Sequence, residues 1–378
     1  MKISLKTLGM LGILNMGAAY SLAMAEEVAQ GSALDTIIEL SESPAQRLQN
    51  TLLIGDWFLE QNNEELAKHY YQRGLDEYVG DQRNAIYVEA LLKSAGLEKD
   101  KLVSRALLLD AKTLIENDVA NELLYANVLE ALVWTYDIEN KDIQTVTNLL
   151  ETAISIRKKY PYNTEYGATL RMLAWTYETR NLLSQAEYYY NYALNNDMKY
   201  LGFGDIRTVL AMENLAQFYL DFGQFDKAKR ILDQKYELHM SAKARDHYNL
   251  ARTESMLGWI LVQTGHPKEA EKMYLDALKN VNQSLTKSAD QLHYFSLSAL
   301  FDLIYFYVSQ DDFERALDYY EQAQTVVAQT DGLTLREYVG ALGQSGMEEL
   351  ASSYAWSIHA QYNSIQRLHE YLNSRNKN

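Results

Sequence analysis

The chain of 378 residues contains no cysteine. Disulfide frameworks, zinc–thiolate and iron–sulfur centres, thiol nucleophiles and a lipid-bearing N-terminal cysteine are therefore excluded. Basic residues are scarce relative to acidic ones, 35 against 51, and the formal net charge is −16, a balance that repels phosphate and argues against nucleic acid as a partner. Proline occurs three times, so few helix breaks are imposed on the chain. Apolar residues are not scarce: at 47% of the sequence they describe a globular protein long enough to bury a large core or several small ones. Tyrosine, with 29 copies, is abundant.

The only long apolar run stands at the start. Lys2 and Lys6 precede an apolar stretch from Leu8 to Ala19, and Ala23-Met24-Ala25 supplies a small-x-small cleavage site before Glu26-Glu27. This is the pattern of a secretory signal over residues 1–25. Gly9, Gly12, Asn15 and Gly17 interrupt the run, which is short for a bilayer span of about 20 apolar residues. A mature protein with no integral membrane span is expected, and its charge would be −18 after loss of the two lysines. Export together with an absence of cysteine points to a bacterial periplasm or exterior.

Self-similarity organises the rest. Leu173-Ala174-Trp175-Thr176-Tyr177, followed by Ala186, Tyr190 and Ala193-Leu194, recurs as Leu215-Ala216-Gln217-Phe218-Tyr219 with Ala228 and Leu232. It recurs again as Leu257-Gly258-Trp259-Ile260-Leu261 with Ala270, Tyr274 and Ala277-Leu278, at a constant step of 42 residues. Divergent copies stand around Ile54-Gly55, Leu132-Val133-Trp134 and Leu303-Ile304. Between the first two of these, over residues 84–120, helical periodicity persists with a blurred signature, and another helix pair is expected there. Each copy reads as two antiparallel helices. Ala67, Ala186, Ala228, Ala270 and Ala316 mark the close approach of the second helix, and Asn181, Gly223 and Gly265 supply the turn.

These residues resemble the tetratricopeptide repeat family over about residues 48–325, in the 42-residue variety found in kinesin light chains. Gly202 and Gly204 stand where the family ends its second helix with proline. The resemblance implies an all-α helix-turn-helix solenoid, a right-handed superhelix, that binds a protein or peptide along an inner wall formed by the first helices. The expected organisation is a signal peptide at 1–25, a flexible leader at 26–46, divergent helical repeats at 47–125, tetratricopeptide-like repeats at 126–325 and a C-terminal helical repeat or cap at 326–378.

Reading the first helices by angle places one residue of each on the inner wall: Asp56, Trp134, Trp175, Gln217, Trp259 and Tyr305. Three of the five tryptophans fall in this column. It reads either as aromatic platforms for a partner segment, with polar contacts from Glu130, Arg171, Glu178, Glu213, Arg252 and Gln263, or as rings packed between neighbouring repeats. The tyrosine runs Tyr70-Tyr71, Tyr188-Tyr189-Tyr190 and Tyr319-Tyr320 read as second-helix packing.

Catalytic, cofactor and metal signatures are lacking. The seven histidines show no pair at a spacing of four, and His239 and His247 read as a surface pair. After His369-Glu370, Asn373 stands where a zinc-protease helix needs its second histidine. No serine elbow, phosphate loop or dinucleotide fingerprint is present. The expectation is an exported, non-enzymatic adaptor without cofactor, acting in envelope assembly, secretion or regulation, with self-association left open. Two alternatives stand beside it. One is a carbohydrate-binding or polysaccharide-export helper using the same rings. The other is a hydrolase with an unrecognised site around 84–120, or in the C-terminal helices near His359 or His369.

Overall fold

A computed structural model describes residues 38–82, 84–136, 142–160, 162–241, 246–283, 289–330 and 355–375, with Leu34, Thr36, Thr334, Leu335 and Glu337, the side chains at 289–295, 330 and 355–360 excepted. Among these residues fifteen α-helices and no strand are delimited. In chain order they are α1 (Pro44–Glu60), α2 (Glu64–Asp76), α3 (Ala85–Gly96), α4 (Lys101–Ile115), α5 (Glu122–Val133), α6 (Ile143–Arg157), α7 (Tyr166–Glu178) and α8 (Leu183–Tyr200). They continue with α9 (Ile206–Asp221), α10 (Phe225–Ser241), α11 (His247–Gln263), α12 (Pro267–Gln283), α13 (Ala289–Ser309), α14 (Phe313–Thr330) and α15 (Ala355–Arg375). The signal-like segment and its Ala23 and Ala25 lie outside the described residues.

The chain divides into two compact units, residues 1–186 and 187–378, and the division falls inside α8. In the first unit each helix from α1 to α7 packs on the next, and in the second the same holds from α9 to α14, with α15 lying on α13 and α14. The blurred stretch at 84–120 is the helix pair α3 and α4. The leader boundary moves. Pro44 opens α1 behind the Ser43 cap, whose hydroxyl accepts from the Gln46 N–H at 3.1 Å, and Ile38 is buried against Ile54 and Tyr70. The end of the 26–46 stretch is part of the fold.

One backbone device closes the helix pairs. Asn62, Asn181, Gly223, Gly265 and Asp311 all have positive φ, between 56° and 80°. Each stands seven residues after the equivalent place of its first helix, held by Gly55, Ala174, Ala216, Gly258 and Ile304 in turn. In every case the next residue's N–H reaches back five positions to a first-helix carbonyl, from Asn63 to Phe58, Leu182 to Tyr177, Gln224 to Tyr219, His266 to Leu261 and Asp312 to Tyr307, at 2.7–2.9 Å. This is the Schellman arrangement, which satisfies the last carbonyls of a helix at the expense of one left-handed residue. Glycine, asparagine and aspartate are the residue types that accept that conformation with least strain. The turn is thus the same in five repeats although only two of them use glycine.

The crossing of the two helices is close in the same way in four of these pairs. A Cβ added to Gly55 would lie 2.3 Å from Cε1 of Tyr71, and one on Gly258 would lie 2.9 Å from Cε1 of Tyr274. Both rings are buried and come from the second helix of the same pair. Ala174 and Ala216 hold the equivalent place elsewhere, both buried. Gly258→Ala is therefore expected to lower stability by about 1–3 kcal/mol, because the Tyr274 ring must be displaced from a filled core. Gly96→Ala, at a position with open space around it, is expected to be neutral or stabilising by up to about 1 kcal/mol. Thermal denaturation of both variants followed by circular dichroism checks the pair.

Candidate functional site

The aromatic column resolves into two pairs, one in each unit. In the first, Trp134 at the end of α5 and Trp175 on α7 stack with ring centroids 5.6 Å apart and planes at 30°. Trp134 is 57% exposed and Trp175 37% exposed. Each ring packs on its neighbour, and the pair still faces solvent. Arg171 and Glu178, half-buried on α7, flank Trp175 by one turn on either side.

In the second unit Trp259 on α11 lies against Tyr305 on α13, with centroids 5.0 Å apart and planes at 34°. Tyr305 is only 8% exposed and its hydroxyl accepts from the exposed Gln263 amide at 3.2 Å. Of the two readings of the column, Tyr305 follows the packed one: it is buried against Trp259 and offers little open face of its own. Burial pushes its hydroxyl up to about 12. Gln217 offers no ring, and its amide donates to Asp221 on the same helix at 2.8 Å. Asp56 is likewise engaged, accepting from the Tyr71 hydroxyl at 2.5 Å and pairing with Lys93 at 2.8 Å.

Three of the polar residues expected beside the column belong to buried networks instead. Glu130 receives the guanidinium of Arg157 through two contacts of 2.7 Å, while Asn127 and Asn163 take the remaining Arg157 donors at 2.7 and 2.9 Å. Thr169 also donates to Glu130. Glu213 on α9 is buried between Lys235 on α10, at 3.0 Å, and Arg252 on α11. Removing an ion from water in this way is tolerated only where its charge and hydrogen bonds are met by partners, as the Arg157 donors are. These side chains hold helices together, and Glu130, Glu213 and Arg252 are withdrawn from any role as free polar contacts.

Lys235 went unnoticed in the sequence although the signal was there. It stands seven residues after Ala228, where the other second helices carry Gly74, Ala153, Ala193, Ala277 and Ala323. A wholly buried lysine thus replaces a small residue in one repeat alone. Burial pulls its ammonium below the usual range, against the Glu213 carboxylate, which pulls it up. One turn on, His239 is buried too, so His239 and His247 are not a surface pair. His247 is half-buried on the next helix and bonds Asn280, which donates to Glu254 at 2.8 Å.

Two carboxyls of the second unit are pushed close to neutrality. Burial raises Glu254 to about 7 and Asp302 to about 7, the latter despite bonds from Ser255 and from the Gln361 amide at 2.5 Å. Near the C-terminus His369 is buried and paired with the Tyr320 hydroxyl at 2.8 Å. Among the described residues no group of three or more histidine, aspartate or glutamate side chains is placed to hold a metal ion, and no helix is long and apolar enough to cross a membrane. What the arrangement offers chemically is flat apolar surface beside polar groups, held on rigid helices.

Tandem helix hairpins closed by a common turn, with small residues recurring at the crossings, define an all-α tetratricopeptide-like repeat fold. Residues 207–283, which span α9 to α12, match the tetratricopeptide repeat family model. No curated protein matches the chain. Solved structures share the fold at low identity. BtubC (BKLC) from P. vanneervenii is 16% identical, with a TM-score of 0.51 over 65% of this chain and 93% of that one. The apo form of RapI is 16% identical, with a TM-score of 0.53 over 87% of both chains. A signal transduction ATPase of the STAND class with a tetratricopeptide repeat sensor, from Pyrococcus horikoshii, is 14% identical, with a TM-score of 0.58 over 90% of this chain and 50% of that one.

Asp302 yields a test of the buried network. Its folded proton affinity exceeds that of an ordinary carboxyl, so its contribution to stability is complete below about pH 4 and is lost as pH rises to about 7. Wild type is expected to lose up to about 1.4 kcal/mol per pH unit in that window from this single proton. Asp302→Asn, which keeps the shape and cannot ionise, is expected to flatten that slope in urea denaturation measured from pH 4.5 to 7.5.

Proposed function

We propose that this chain is a non-enzymatic adaptor that binds a segment of a partner protein against the first helices of its repeats. The observation that carries the reading is the stacked indole pair of Trp134 and Trp175. Large rings with apolar faces are ordinarily buried, and a pair held rigidly yet open to water is the kind of anchor on which interface energy concentrates. Because the helices are preformed, a partner would be ordered against them with little rearrangement of the adaptor itself. In the second unit, Trp259 with Tyr305 beneath it and Gln263 beside it would serve in the same way.

The repeat fold supports a protein partner, and the sensor named in the Pyrococcus horikoshii protein is a use of the same fold for detection. The secretory pattern over residues 1–25 supports a place in the periplasm or outside the cell, and a task in envelope assembly, secretion or regulation follows from that place. Acidity adds a preference: at −16 the protein repels anionic surfaces and favours partners of opposite charge.

The double variant Trp134→Ala/Trp175→Ala is expected to keep its helical circular dichroism and to lose its partner from an envelope-extract pull-down, with affinity reduced at least about thirtyfold if each ring contributes 1 kcal/mol or more. A folded double variant that recovers the same partner at unchanged affinity would defeat the proposal. An open indole face also stacks on sugar rings, so the same two proteins are to be applied to a glycan array; saturable binding there, lost in the variant, would replace the protein partner with a carbohydrate.

A further inference from the structure

The seam between α10 and α11 contains a set of groups that the adaptor reading leaves unused. His239 is 7% exposed, and its Nε2 has no hydrogen-bond partner among the described residues. It lies one turn beyond Lys235 on the same helix, which is itself wholly buried. From α9 the facing charged group is Glu213, and from α11 the titratable groups are Asp246, Tyr248 and Arg252. Lys235 and Arg252 share the one Glu213 carboxylate. Asp246 caps α11 by accepting from the Asn249 N–H at 3.1 Å. The same place in other second helices holds Arg157, Asp197, Val281 or Val327, so neither an imidazole nor a lysine is required by the repeat.

A neutral imidazole can leave one ring nitrogen bare, because that nitrogen carries no proton to be satisfied. A protonated one cannot, since both nitrogens become donors. For His239 the second N–H would point into a buried place that supplies no acceptor among the described residues. The new positive charge would also stand beside Lys235, away from water. Burial and Lys235 both oppose the proton, and Asp246 and Glu213 offset them only in part.

We propose that the α10–α11 seam is an acid-responsive joint, in which protonation of His239 adds a third cation to the buried cluster of Lys235, Arg252 and Glu213 and loosens one repeat from the next. The sign follows from linkage. His239 stays neutral in the folded chain while the unfolded or opened chain takes up a proton near pH 6.5, so the seam is tight above that value and weakens as pH falls below it. Opening is local because a repeat packs chiefly on its neighbours and one seam can yield while the others persist. The carboxyls of Glu254 and Asp302 respond in the opposite sense, taking up their protons in the folded state as pH falls. The joint therefore differs from general acid unfolding. Its mechanical effect falls on α11, the helix that carries Trp259.

The test is hydrogen–deuterium exchange of the full chain between pH 7.5 and 5, corrected for the intrinsic pH dependence of exchange, beside an NMR titration of the histidine ring protons. Peptides covering residues 225–241 and 247–263 are expected to lose protection by up to about tenfold per pH unit below 6.5, while peptides from α1 to α4 do not. His239→Gln should remove that loss, and the His239 ring should titrate below the range of an ordinary histidine. Lys235→Met, which takes away the neighbouring cation, should move the His239 midpoint upward. A wild-type seam with constant protection, an unchanged acid loss in His239→Gln, or a His239 ring that titrates as in a free peptide would each overturn the proposal. If His239→Gln does not fold, the wild-type titration and the Lys235→Met shift decide the matter.

Discussion

The distance between two crossing helices is fixed by the smallest side chain at their contact, and in this protein that constraint governs nearly everything else. At Gly55 and Gly258 no side chain intervenes, and the ring of Tyr71 or Tyr274 fills the space instead. Ala67, Ala186, Ala228, Ala270 and Ala316 meet the first helix from the other side, all of them fully buried. Close approach lets dispersion contacts accumulate over the whole crossing, and it also fixes the rotation of each helix about its own axis. Once the rotation is fixed, the residue after the small position must point away from the buried stripe. The aromatic column is a consequence of the crossing before it is anything else.

The buried polar networks mark where the constraint is relaxed. A lysine stands at the place of Gly74, Ala153, Ala193, Ala277 and Ala323 and is wholly buried there. Lys235 is accommodated by reaching the Glu213 carboxylate, which Arg252 then shares from the following helix. Three helices are tied through one anion. Such a tie contributes little net stability, because desolvating the charges offsets most of their attraction. It does make the joint sensitive to any change in charge, which an apolar joint would not be. The Arg157 cluster in the first unit differs in this respect: its donors are met by Glu130, Asn127 and Asn163, with no titratable bystander left without a partner in the contacts described.

Sequence periodicity is sufficient for the helix pairs, their turns and the crossing residues, because three copies recur at one step and the divergent copies obey the same steric rules, which single residues reveal. Asn181, Gly223 and Gly265 announced the turn, and Asn62 and Asp311 hold the same conformation. The pair at 84–120 was legible from amphipathic spacing even where the signature failed. The site was less legible. Angular position along a helix says which side a residue faces, but not how far its neighbours cover it, as the burial of Tyr305 shows. Charged residues were misread in the same way: Glu213, Arg252 and Glu130 look like surface groups until the partner on another helix is known. Lys235 alone could have been found, since it breaks the repeat's own pattern.

The two aromatic pairs show how a single repeat position can carry two roles. At Trp134 and Trp175 the rings stack on each other and remain open, and α5 ends at the first of them. At Trp259 the partner ring is a tyrosine whose hydroxyl is held by Gln263, so one aromatic is consumed in supporting the other. A repeat protein can therefore convert packing positions into binding positions by substitution at one site, without altering the helix crossings beneath. The solvent-facing position is free to vary precisely where the crossing residue is not, and an array of this kind can change its partner while keeping its fold.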